Sequence, residues 1–151
     1  MAETNAWLLS ISAQQKIAVA EYQMYEYILS ADTADVPLTP PHCQQMLFWQ
    51  ERLIPKISLG LFFENKTDSD KSYVIVAYQS APKAPIQYAG LPIIEAPIRI
   101  IVQDETATDL PESFNENLRS ATLSCFLYED QPVPILNIAA LCSKEFWQQT
   151  L

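Results

Sequence analysis

Short apolar runs, separated by polar or proline-bearing breaks, recur along the whole chain, and their length and alternation predict strands rather than helices. Residues 7–12 read as a buried strand, 14–15 as a turn and 17–19 as the opening of a second strand. Residues 21–29 fit two patterns. Tyr22, Tyr25 and Leu29 fall on one helical face, whereas the aromatic enrichment of the run favours a strand. Residues 32–43 hold Pro37, Pro40 and Pro41 and are expected to form a loop, since proline cannot donate to a ladder. Residues 46–50 and 53–59 read as two strands of a hairpin around Glu51 and Arg52, followed by a short helical turn at 60–63. The polar stretch 65–72 is the best linker.

Beyond the linker the order repeats. Strands are expected at 73–78, 86–91, 98–102, 120–128 and 133–138, with prolines bounding the first, an acidic loop at 104–111 and a turn at Glu129 and Asp130. From Ile138 onward Leu141, Cys142 and Phe146 take helical spacing. About ten short strands with little helix define a mainly β, barrel-like class.

Shifting the sequence by 79 residues, 52 to 131, lays one strand over another. Ile54 then matches Val133, Pro55 is identical to Pro134, and Ile57, Ser58 and Leu59 match Leu136, Asn137 and Ile138. Ser58 and Asn137 both suit an N-cap, where a side-chain oxygen accepts from an orphan amide of the following helix. Trp7-Leu8-Leu9 agrees more weakly with Tyr73-Val74-Ile75. Two related β subdomains packed intimately are the simplest account, chance agreement of short Ile-Pro strings being the alternative. The apolar members, with Pro55, are expected to be structural.

Composition narrows the function. The 151 residues carry 9 Lys and Arg against 18 Asp and Glu, a formal charge of −9 that opposes nucleic acid and anionic lipid. Charged residues are 18% of the chain and hydrophobic ones 49%, so the chain folds and leaves apolar surface for contacts. Two glycines exclude a glycine-rich phosphate loop, and a single histidine excludes a two-histidine metal site. Three cysteines without a Cys-x-x-Cys pair suit a reduced, cytoplasmic protein. The first residues lack a basic leader region, and no apolar run is long enough for membrane insertion.

Residues 45–59, Gln-Met-Leu-Phe-Trp-Gln-Glu-Arg-Leu-Ile-Pro-Lys-Ile-Ser-Leu, resemble without a gap a strand pair of the CheW-like family of chemotaxis adaptor domains. The proline-bearing approach at 36–41 and the closing strands at 126–138 are also similar to that family. The resemblance implies one domain over 1–151, built of two packed five-stranded SH3-like β-barrels with short helices around a shared core. Subdomains of about 13–70 and 71–137 are expected to exchange terminal elements. It implies a non-catalytic adaptor without cofactor or metal, joining the regulatory domain of a histidine kinase to chemoreceptor tips. Three departures stand out: Gln50-Glu51 replaces the family's Arg-Gly, Ser58 its aspartate and Gln45 its glycine. Loss of the turn glycine implies another turn type, and glutamine cannot replace an arginine fork. A divergent adaptor of a pilus-motility pathway, or a relative without the usual kinase partner, follows. Self-assembly into a homo-oligomer and a small ligand-binding or hydrolytic barrel are the alternative functions.

Partner contact is therefore expected through the first hairpin at Phe48, Trp49, Gln50, Glu51 and Arg52, with Trp147 as a further anchor. Phe48 and Trp49 are adjacent, so on a strand they face opposite ways and at most one enters the core. Arg52 is the one cation beside the turn and the candidate to meet a partner carboxylate. His42-Cys43 reads as ordinary loop rather than metal site or nucleophile, and Asp104-Glu105 and Glu129-Asp130 as solvated acids rather than a catalytic dyad.

Overall fold

The computed structural model describes residues 3–37, 45–60, 72–112, 114 and 116–143. The first half contributes β1 (Glu3–Ser10), β2 (Lys16–Ala20), β3 (Met24–Ile28), β4 (Thr33–Asp35), β5 (Gln45–Trp49) and β6 (Arg52–Lys56). The second contributes β7 (Ser72–Tyr78), β8 (Gln87–Ile93), β9 (Ile98–Gln103), β10 (Ala107–Thr108), β11 (Thr122–Tyr128) and β12 (Gln131–Leu136). Two short helices, α1 (Glu116–Ser120) and α2 (Ile138–Leu141), flank the last strands.

These strands form two six-stranded sheets, ordered β9-β1-β2-β12-β11-β10 and β3-β7-β8-β6-β5-β4. Read in that direction the two sheets have the same plan, each strand of one half standing where its counterpart six places along the chain stands in the other sheet. The third strands are exchanged. β3 leaves β1 and β2 to pair with β7, and β9 leaves β7 and β8 to pair with β1. Each sheet also holds one parallel contact, Lys56 beside Gly90 and Ile135 beside Ala18, again 79 residues apart on the hairpin side. The division between sheets thus does not fall at the linker: one sheet is drawn from residues 24–93, the other from 3–20 and 98–136.

Three apolar clusters explain why this sequence takes the plan. Ala6, Leu8, Ala18, Phe126 and Val133 fill the hollow of one curled sheet, and Leu47, Trp49, Ile54, Tyr73 and Ile75 fill the other. Between the sheets lies the largest cluster, with Leu9, Ile17, Val19, Val74, Val76 and Leu91 from central strands. Ile57, Leu59, Leu136 and Ile138, paired by the repeat, all enter that shared core at 1% exposure or less. Central strands are therefore buried on both faces and read as continuous apolar runs. Gly90 serves a close approach, since a Cβ there would lie 2.1 Å from Leu47 Cδ1, and its carbonyl accepts from Ile57 N at 2.9 Å.

Several local expectations shift. The barrels were expected with five strands each; the sixth in each sheet is the short β4 or β10, formed inside segments whose proline and acid content reads as loop. Residues 21–29 resolve into a 3-10 turn, Glu21–Gln23, and a strand, not a helix. β8 runs on through Pro92, and α1 has no clear sequence signal. Asn137 does cap α2, its side chain accepting from Ala140 N at 3.2 Å. Residues 61–63 of the helical turn that Ser58 was expected to cap, and most of the linker, lie outside the described residues. No described helix is long and apolar enough to cross a membrane.

The two hairpin turns fall at Gln50-Glu51 and at Glu129-Asp130, one residue earlier than Glu51-Arg52 in the first case. All four residues have positive φ, 48° and 63° in the first turn and 50° and 64° in the second. Such paired left-handed residues match the strand twist of a two-residue hairpin, which ordinarily selects Asn-Gly. Here bulky side chains carry the strain. Replacing Glu129 and Asp130 together by Asn and Gly should therefore raise stability by about 1 kcal/mol, given the ~1–2 kcal/mol left-handed penalty of an L-residue. A melting temperature at or below the parent's would show the turn to be unstrained.

Candidate docking hairpin

In the first hairpin Phe48 stands directly opposite Leu53, and Trp49 opposite Arg52. Alternation along the strands sends these two pairs to opposite faces. Phe48 and Leu53 are 51% and 50% exposed, an apolar cross-strand pair turned to solvent. Trp49 is only 6% exposed and turns into the hollow of its sheet. The expected division between the adjacent aromatics thus holds, with Trp49 as the core member.

Around Trp49 three strands converge. Its ring meets Tyr25 of β3 edge-on at 5.5 Å and Tyr88 of β8 at 4.9 Å, and the two tyrosines lie 5.0 Å apart. Its Nε1 donates to Glu26 Oε2 at 2.7 Å. The Arg52 guanidinium carbon lies 5.7 Å from the Trp49 ring centre and 5.4 Å from that of Tyr88, in cation–π range of both. Gln50 and Glu51 are exposed at the turn. The structure brings Phe48, Trp49, Gln50, Glu51 and Arg52 together on one hairpin; Trp147, His42 and Cys43 lie outside the described residues.

The meeting of these aromatic rings carries no signal in the sequence. Tyr25 and Tyr88 are 63 positions apart, and the exchange of β3 is what brings them together. Of the tyrosine stretch, Tyr22 is 83% exposed, Tyr25 half-exposed, and Tyr27 packs against the shared core. Lys56 sits at 5% exposure in β6, its Nζ donating to Gln45 Oε1 at 2.8 Å while Gln45 Nε2 donates to Asp35 Oδ1 at 2.9 Å. On the second hairpin Leu127, the counterpart of Phe48 in the 79-residue shift, is 43% exposed. A groove of about 370 Å³ at the junction of the sheets is rimmed by exposed Tyr22, Ile86 and Leu123.

Among the described residues, nucleophile and metal chemistry find no such convergence. Asp104-Glu105 and Glu129-Asp130 are solvent-exposed. Burial pushes the Cys125 thiol up from its ordinary value, an effect partly offset by hydrogen bonds from the Phe126 and Val133 backbone. Raising the pKa leaves Cys125 protonated, the opposite of an activated nucleophile. Among the described residues no three His, Cys, Asp or Glu side chains are grouped to hold a metal ion.

The CheW-like domain family model matches residues 9–146. No curated protein matches the sequence. Among solved structures the chain is similar to the crystal structure of scaffolding protein TtCheW from Thermoanaerobacter tengcongensis, with a TM-score of 0.69 at 15% identity over 90% of this chain and 85% of that one.

Proposed function

The chain belongs to the CheW-like domain family, and from that membership we propose that it is a non-catalytic cytoplasmic adaptor linking a chemotaxis-type histidine kinase to receptors. The kinase's regulatory domain docks on the first hairpin. The observation that carries this reading is the half-exposed Phe48–Leu53 pair on a short two-residue hairpin. Large apolar side chains held in register on a rigid element are what interface hot spots require, because little conformational entropy remains to be lost. The buried Trp49 behind them fixes the hairpin to its sheet.

Binding of the purified regulatory domain, followed by calorimetry, tests the reading. Phe48→Ala and Leu53→Ala should each weaken it, Phe48→Ala by roughly tenfold or more as hot-spot truncations do. Both side chains lie half in solvent, so circular dichroism and the melting curve should stay near the parent's. Parent-like affinity in both variants would move the docking surface elsewhere, first to the groove at the sheet junction.

A further inference from the structure

The aromatic face of the same hairpin points to the chemistry of what it meets. We propose that Arg52 is a preset receptor for one side-chain carboxylate of the protein partner, an inference that rests on the docking reading above. Its guanidinium lies over two rings, Trp49 and Tyr88, and the shelf beneath it is fixed. Trp49 is buried, packed edge-on by Tyr25 and tied by its indole N–H to Glu26 on a third strand. Cation–π contact with ring faces does not consume the N–H donors of a guanidinium, which leaves them for a ligand. Among the described residues no carboxylate reaches ion-pair distance of Arg52, and its guanidinium donates no hydrogen bond to them. The adjacent Glu51 forms no ion pair with it, and Arg99 shows the contrast, held at 2.6 Å by Glu21.

Covering Arg52 with a neutral, apolar surface would strand a desolvated cation, which costs several kcal/mol, so any partner seated here must supply an acceptor. A carboxylate matches the planar fork with two parallel hydrogen bonds. Charge selects the same occupant. The chain carries −9 overall, so a polyanion is repelled, whereas a single acid on an otherwise apolar or basic surface finds a complement at Arg52. Half-exposed Tyr25 beside the shelf offers that surrounding surface apolar contact. A free inorganic anion would leave it uncovered.

The experiment titrates the purified kinase regulatory domain into the parent, Arg52→Gln, Arg52→Lys, Arg52→Glu and Phe48→Ala, at low and high sodium chloride. Arg52→Gln should weaken binding at least tenfold, Arg52→Glu further, and Arg52→Lys by an intermediate factor because it keeps the charge and loses the fork. Parent affinity should fall with salt while that of Arg52→Gln changes less. In an alanine scan of the partner's Asp and Glu residues, one position should weaken the parent but leave Arg52→Gln unaffected. If Phe48→Ala weakens binding and Arg52→Gln stays within twofold of the parent, the carboxylate inference falls while the docking hairpin stands. If neither variant weakens it, or the parent itself does not bind, both fall. All four substitutions are at exposed positions, and melting curves confirm that each variant folds.

Discussion

Neither residues 1–70 nor 71–151 should give a cooperative melt alone, whereas mixing the two should restore one. Of the ten strand pairings among the described residues, four cross the cut: β1 with β9, β2 with β12, β3 with β7 and β6 with β8. What survives in each half is two separate pieces, a lone hairpin and a three-stranded ribbon, β1-β2 with β4-β5-β6 or β7-β8 with β10-β11-β12. An isolated hairpin is marginal in water at best. The shared core is divided as well, with Leu9, Ile17, Val19 and Ile57 on one side and Val74, Val76, Leu91 and Leu136 on the other. Circular dichroism with thermal melting of each piece and of their equimolar mixture checks this. A cooperative transition in either half alone would mean that the exchanged strands are dispensable.

Leu136→Ala should be among the most damaging single substitutions. The side chain is fully buried in the shared core, and the next residue's N–H is committed to Ala121 O at 2.7 Å, so the backbone cannot collapse to fill the space. Truncating a buried leucine costs about 2–5 kcal/mol. For a chain of this size that lowers the melting temperature by roughly 4–20 °C. Leu123→Ala, on the adjacent strand but 59% exposed, is the matched control and should change stability by only about 0.5 kcal/mol. Equal effects of the two substitutions would remove the repeat from the core.

Strand content, the two hairpins and the duplicated Ile-Pro strand were legible because each is local: short apolar runs, turn acids and a shifted match. The shared burial of Ile57, Leu59, Leu136 and Ile138 followed from that match, and the opposite faces of Phe48 and Trp49 from strand alternation. The crossing of β3 and β9 was not readable at strand level, because a strand's edge looks the same whichever neighbour it takes. Local signals also mislead where tertiary pairing overrides them, as in β4, β10 and Pro92 of β8. The hairpin proposed for docking could be placed in the sequence by spacing and resemblance. Its aromatic shelf could not, since Tyr25, Trp49 and Tyr88 meet only after the exchange.

The exchange also sets a clock on synthesis. Glu3 waits for Gln103, and Ala18 for Ile135. At ~5–20 residues per second the second wait lasts roughly 6–23 s, during which the apolar β2 emerges with one edge unsatisfied. The sheet drawn from residues 3–20 and 98–136 cannot close early, whereas the other has all its strands once residue 93 has emerged, and long-range pairing of this kind is intrinsically slow. Nascent chains therefore pass through a long interval with open strand edges, and yield in the cell should depend on whatever shields those edges from one another.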